Sequence, residues 1–183
     1  MARTRTRSLR FRSGVGIRGE LTIHVFDART GAVLRTLNKP NTIMNNARDI
    51  VRALLAQRAL GAGGDPVAIR EYSWGSMRFG TDSTAAAPTQ QDLYGEVTAA
   101  RKELTDIQKN NGSVGEITLT ATLDSGDANG VTLREAGVFT RGPTVWSAGV
   151  GGTLRMFSRQ VHPFIEKTSA IRLEYTWVFQ FTA

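Results

Sequence analysis

Cysteine is absent from the 183 residues, which removes disulfides, thiolate zinc sites and a cysteine nucleophile together. Histidine is nearly absent. His24 and His162 are the two present, with no HxH or HExxH spacing and no Ser/Asp pattern of the kind a catalytic triad needs. No apolar run reaches the roughly 18 residues of a membrane-spanning helix. The basic N-terminus is not followed by an apolar stretch, so no secretory signal is expected. Internal repeats and βαβ alternation are also missing, which argues against a Rossmann-type fold.

Acidic residues are missing from the first nineteen positions, where six arginines stand: Arg3, Arg5, Arg7, Arg10, Arg12 and Arg18. The rest of the chain holds seventeen basic against sixteen acidic residues, so the overall charge of +7 belongs to the arm. The body is nearly neutral, and the high pI gives no reason to expect a basic patch on the fold. The expected organisation is a basic arm over residues 1–18 and a single domain over residues 19–183.

What is present is mostly strand alternation. "ELTIHVF" sets Leu21, Ile23 and Val25 against Thr22, His24 and Phe26, "DARTG" turns, and "AVLRTL" returns, predicting a hairpin over Glu20–Leu37. Further strands are expected through Met77 and Phe79, over "EITLTATLD", over "VTLREAGVF" and over "TLRMFSRQV". Gly137 inside the third of these suggests a bulge or a close neighbour. The stretch from Thr98 to Gln108 fits a strand or a helical turn, and "STAAAPTQQDLYGEV" reads as a surface loop. In "IRLEYTWVFQF", Ile171, Leu173, Tyr175, Trp177, Phe179 and Phe181 share one parity, so this strand should be central in a sheet with that face in the core. "NNARDIVRALLAQRALG" alone has helical period. Ala47, Ile50, Val51, Leu54 and Leu55 fall on one face, with Asn45 or Asn46 as cap and Gly61 as stop. The expected fold is mainly β: an antiparallel β-sandwich with one packed amphipathic helix over about residues 45–60 and an extended N-terminal arm.

Signals for chemistry are sparse. "GDANG" offers Asp124, Asp127 and Asn129 as oxygen donors, but EF-hand spacing is missing and a hairpin turn accounts for the same residues. "GAGG" at residues 61–64 follows a helix instead of opening one, the wrong dipole end for phosphate. Glu135, in an otherwise apolar strand, is either paired with an arginine or turned to solvent. No cofactor, metal or catalytic residue is expected, and no enzymatic activity.

Four ordered segments carry a resemblance: "NTIMNNARDIVRALL", "MRFGTDSTAAAPTQQDLYGEVTAARK", "ITLTATLDSGDANGVTLREAGVF" and "LRMFSRQVHPFIEKTSAIRLEYTWVFQF". Together they resemble virion structural proteins of tailed bacteriophages, of the tail, tail-fibre or baseplate-associated kind. The shared pattern is a helix, a "GTxxTAPxxxDxxLxxE…RK" segment, a strand ending in "ANG…EAGxF", and a final "R…F…I.KT…L.…W…F" strand. It spans about residues 40–182. The long "LTDIQKNNGSVGE" segment and the arginine-rich arm depart from it.

The resemblance implies a non-enzymatic protein of the virion, assembled in the host cytoplasm, with other virion proteins as partners and a homo-oligomeric state such as a trimer or hexamer. It implies no membrane. A head-decoration or collar/connector protein is the first alternative, and a nucleic-acid-binding protein acting through the arm is the second. A cell-wall or polysaccharide hydrolase is a third. In an extended arm, Arg3, Arg5 and Arg7 share a side with Leu9 and Phe11, while Arg10 and Arg12 take the other. The expected reading is a tip at residues 1–7 and a pairing segment at residues 8–12 that buries Leu9 and Phe11 against an adjacent subunit. Arg3, Arg5, Arg7, Leu9, Arg10, Phe11 and Arg12 are thus the candidate interface residues. An arm disordered in the isolated subunit, or arginines clamping phosphates, are the other readings.

Overall fold

The computed structural model describes residues 16–47, 50–51, 73–110, 115–141 and 155–182. Ten strands form two five-stranded antiparallel sheets packed face to face, a β-sandwich. They are β1 (Gly16–Asp27), β2 (Val33–Pro40), β3 (Thr42–Ile43), β4 (Ser73–Gly80), β5 (Lys102–Glu103), β6 (Asp106–Asn110), β7 (Gly115–Leu123), β8 (Val131–Arg141), β9 (Arg155–Lys167) and β10 (Ile171–Thr182). One sheet has the order β2-β1-β10-β7-β6 and the other β3-β9-β8-β4-β5. The chain changes sheet between β2 and β3, β5 and β6, β7 and β8, and β9 and β10.

The predicted hairpin is β1 and β2. Asp27 closes its turn: its Oδ1 accepts from the Thr30 N–H at 2.7 Å, the Thr30 hydroxyl at 2.9 Å and the Arg29 N–H at 3.0 Å. The Thr30 N–H and hydroxyl hold the Asp27 carboxyl below its ordinary pKa. Gly31 follows at φ 73°, a left-handed position that suits glycine. β1 begins at Gly16, so residues 16–18 of the expected arm already pair with β10, Gly16 opposite Thr182.

β10 is the middle strand of its sheet, as its alternation predicts, and Leu173, Tyr175, Trp177 and Phe179 have no exposed surface. They meet Leu21 and Ile23 of β1, Leu119 and Ala121 of β7, and Met77, Phe79, Val138 and Phe157 of the opposing sheet in one core. Trp74 stacks on Phe179 at 5.6 Å and meets Phe157 edge-on at 4.8 Å. Of the predicted helix, residues 45–47 and 50–51 are helical, with Ala47 and Ile50 in the core. Leu54, Leu55 and Gly61 lie outside the described residues.

The ambiguous stretch after Thr98 divides into a 3-10 turn (Thr98–Ala100), β5 and β6. Gly137 has the close neighbours its position suggested, whereas the bulges flank it and Gly137 itself pairs in register with Arg78 and Arg159. Pairing with β9 shifts register between Leu133 and Glu135 and again between Val138 and Phe139. A Cβ at Gly137 would stand 3.0 Å from Leu93 Cδ2 and 3.3 Å from the Ser158 carbonyl. The "STAAAPTQQDLYGEV" segment is the surface loop expected, with most of its residues exposed, but two of its side chains, Gln90 and Leu93, are buried. It packs across the outer face of the second sheet, where Leu93 joins Met44, Phe139 and Met156 in a second apolar cluster and Gln90 is buried. Polar composition concealed this, because the segment is held mainly by ionic and backbone contacts.

Candidate functional site

The most elaborate polar arrangement lies under that strap. Glu135 of β8 and Arg159 of β9 are both fully buried on the outer side of their sheet, Arg159 opposite Gly137 in the ladder. Arg159 Nε and Nη2 each stand 2.7 Å from Glu135 Oε2. Glu135 Oε1 accepts from the Gly95 N–H at 2.8 Å. Arg159 Nη1 donates to the Thr84 carbonyl at 2.9 Å and to Gln90 Oε1 at 3.0 Å, and that same Gln90 oxygen accepts from the Ala87 N–H. Asp82 Oδ1 lies 3.5 Å from Arg159 Nη2, and the guanidinium carbon sits 5.2 Å from the centre of the Tyr94 ring. The Thr84 N–H keeps the Asp82 carboxyl ionised below its ordinary range, with the Arg159 charge helping.

Gly80 makes this approach possible: a Cβ there would fall 2.3 Å from Glu135 Oε1 and 2.7 Å from the Gly95 carbonyl. A second pair clamps the end of the strap. Arg78 Nη1 meets Glu96 Oε2 at 3.1 Å with its guanidinium 4.4 Å over Phe139, and Arg101 also bonds Glu96. Glu135 engages both carboxylate oxygens, and Arg159 its Nε and Nη1 donors, with the chain's own groups, while Arg159 Nη2 stands in ion-pair range of Glu135 and Asp82 without a hydrogen bond of its own. The arrangement fixes the strap. Glu135 is the arginine-paired carboxylate that its apolar strand allowed. Its partner was missed, although a lone arginine amid "MFSRQV" is the same kind of signal.

The other candidates are also internally engaged. Asp127 Oδ2 caps the Asp124 N–H at 2.7 Å and meets Lys102 Nζ at 2.7 Å. Burial pushes the Asp127 carboxyl up, but the Lys102 hydrogen bond, the Asp124 N–H and the charges of Lys102 and Lys167 bring it below its ordinary value. Lys167 donates to Asn129 Oδ1 at 3.2 Å and to the Thr168 carbonyl at 2.9 Å. "GDANG" is therefore a turn whose oxygens serve two lysines, with Gly130 at φ 80°, but it is not the hairpin expected, because it carries the chain from β7 in one sheet to β8 in the other. Among the described residues no group of three or more His, Asp or Glu is placed to hold a metal.

His24 lies on the outer face of the first sheet, its Nδ1 2.9 Å from the Thr36 hydroxyl. His162 is buried, its Nδ1–H donating to the Pro163 carbonyl at 2.8 Å and its ring 5.8 Å from Tyr175. A groove of about 400 Å³ at the end of β2 is lined by Arg18, Gly19, Glu20, Pro40, Val178 and Gln180.

The candidate interface residues Arg3, Arg5, Arg7, Leu9, Arg10, Phe11 and Arg12 lie outside the described residues, as does "GAGG". What the described fold offers a partner is its strand edges. β3 and β5 are two residues each, whereas β2 and β6 are longer and largely exposed, with Val33, Leu34 and Ile107 open to solvent. Comparison with protein-family models, with characterised proteins and with solved structures finds no match for this chain.

Proposed function

We propose that this chain is a non-enzymatic structural protein of a tailed-phage virion, in the tail, baseplate or fibre-attachment region, and works by forming ordered interfaces with neighbouring subunits. One observation carries the reading. Three of the segments that carry the phage-like pattern meet at a single polar cluster around one buried ion pair: Asp82, Gln90 and Gly95 of the "GTDSTAAAPTQQDLYGE" segment, Glu135 of "EAGVF" and Arg159 of "LRMFSRQV". Their chemistry is used to hold one shape. Segments that converge to hold one shape suit a subunit whose product is an assembly.

The exposed strand edges and the arm supply the working surface, through main-chain pairing and charge complementarity. Immunogold labelling of phage particles with antibodies to this chain tests the reading, with label expected on the tail or its tip. Label confined to the head or neck transfers the protein to a decoration or connector role. Particles without label overturn the virion assignment, and arm-dependent, salt-sensitive retention on duplex DNA then becomes the next measurement.

A further inference from the structure

We propose that the arm segment at residues 8–12 of one copy adds as a strand to the β6 edge of a second copy, with Phe11 over Ile107 and Arg10 and Arg12 flanking Asp106. This rests on the assembly role proposed above and names its partner: another copy of this chain.

β6 ends its sheet, all five residues are exposed, and its far edge meets no described strand. Cross-strand neighbours share a face. Ile107 pairs with fully buried Leu119, so it lies on the core-facing side, yet it remains 44% exposed. Asp106 pairs with Thr120 on the outer side, its Oδ2 taking only the Gln108 amide among the described contacts. β6 therefore presents an uncovered apolar group on one side and a carboxylate on the other.

The arm has the matching alternation. Leu9 and Phe11 stand at one parity and Arg10 and Arg12 at the other. With Phe11 opposite Ile107, either strand direction brings Arg10 or Arg12 beside Asp106. The β2 edge lacks this match, since it carries Arg35 and Lys39 and no acidic residue.

Reach decides between the chain's own edge and a neighbour's. Ile107 lies on the row of Leu119, Trp177 and Leu21, five residues along β1 from Gly16. Five residues of strand are about 17 Å, and the far side of β6 is four strand spacings from β1, about 19 Å. The direct separation is about 25 Å, whereas five fully extended residues from Gly16 to Phe11 span at most about 18 Å. Phe11 cannot cover its own Ile107, so the acceptor is a second copy.

The absence of cysteine makes the test clean. A Phe11→Cys chain is mixed with an isotopically heavier Ile107→Cys chain and oxidised, with Leu34→Cys on β2 replacing Ile107→Cys as the control. The expected product is a mixed disulfide with Ile107→Cys and little with Leu34→Cys. Equal capture by both, no capture, or a disulfide closed within one chain of the Phe11→Cys/Ile107→Cys double variant overturns the proposal.

Independently, Asp106→Lys should weaken self-association about tenfold or more, the scale of one charge-assisted contact. Adding Arg10→Glu and Arg12→Glu should restore it, and unchanged association in Asp106→Lys overturns the charge match. The two readings fail separately. Cross-linking without virion label leaves the arm contact standing, whereas tail label without cross-linking removes only the arm contact.

Discussion

Glu135 and Arg159 sit at the meeting point of three segments far apart in sequence, and each is costly to bury without the other. Glu135→Gln leaves the guanidinium enclosed with half its counter-charge lost, and it should lower unfolding stability by about 3–5 kcal/mol in urea titration. Replacing both, as Glu135→Leu with Arg159→Met, should cost less than the sum of the single changes, because no unpaired charge remains. Gly80→Ala should be destabilising as well, since one of the atoms its Cβ would meet is backbone.

His162 makes a pH prediction at the same scale. Burial pushes its pKa down from 6.5 to about 4, against the Pro163 carbonyl bond and with a small contribution from Arg35. The unfolded chain therefore binds a proton at a pH where the folded chain does not. Stability should be full above pH 6.5, fall as the pH drops from 6.5 toward 4, and level off below. At about 1.4 kcal/mol per pH unit across that window, the loss approaches about 3 kcal/mol. His162→Gln should flatten this part of the stability–pH curve measured by thermal unfolding.

At the scale of elements, β9 shows how a strand carries a proline. Leu133 pairs with Ile165 and Glu135 with Val161, so β9 spends four steps where β8 spends two. Pro163 falls in that bulge, where a missing N–H breaks no ladder bond. Phe164 is thrown outward with it, 60% exposed and 5.8 Å from the Arg134 guanidinium. β10 is the opposite case, regular over its whole length and paired on both sides. Trp177→Ala should cost about 3–5 kcal/mol. Removal of residues 171–183 should abolish the cooperative transition seen by circular dichroism, since it separates β1 from β7.

Across the whole molecule, the two sheets differ in how their edges are built. The strap packs on the outer face of the second sheet, whose edge strands are two residues long, whereas among the described residues no strand pairs with the outer edges of β2 and β6 in the first. The described sandwich starts at Gly16 and draws its core from residues beyond it. A chain lacking residues 1–15 keeps every described strand and should still unfold in one cooperative transition followed by circular dichroism. Its self-association should be lost in sedimentation measurements.

The sequence by itself determined the β-sandwich, the β1–β2 hairpin and the central place of β10, because alternation at period two records which face a strand buries and turn residues record where the chain reverses. It also marked Glu135 as out of place in an apolar strand. Only the tertiary structure decided that Arg159 answers it, that Gln90 and Asp82 surround the pair, and that a polar segment with no periodicity is packed over a sheet. Those contacts join residues 24 to 77 positions apart through a register set by bulges at Glu135 and Phe139. Local pattern holds no record of register shifts or of a carboxylate's distant counter-ion, because both are fixed by which strands become neighbours.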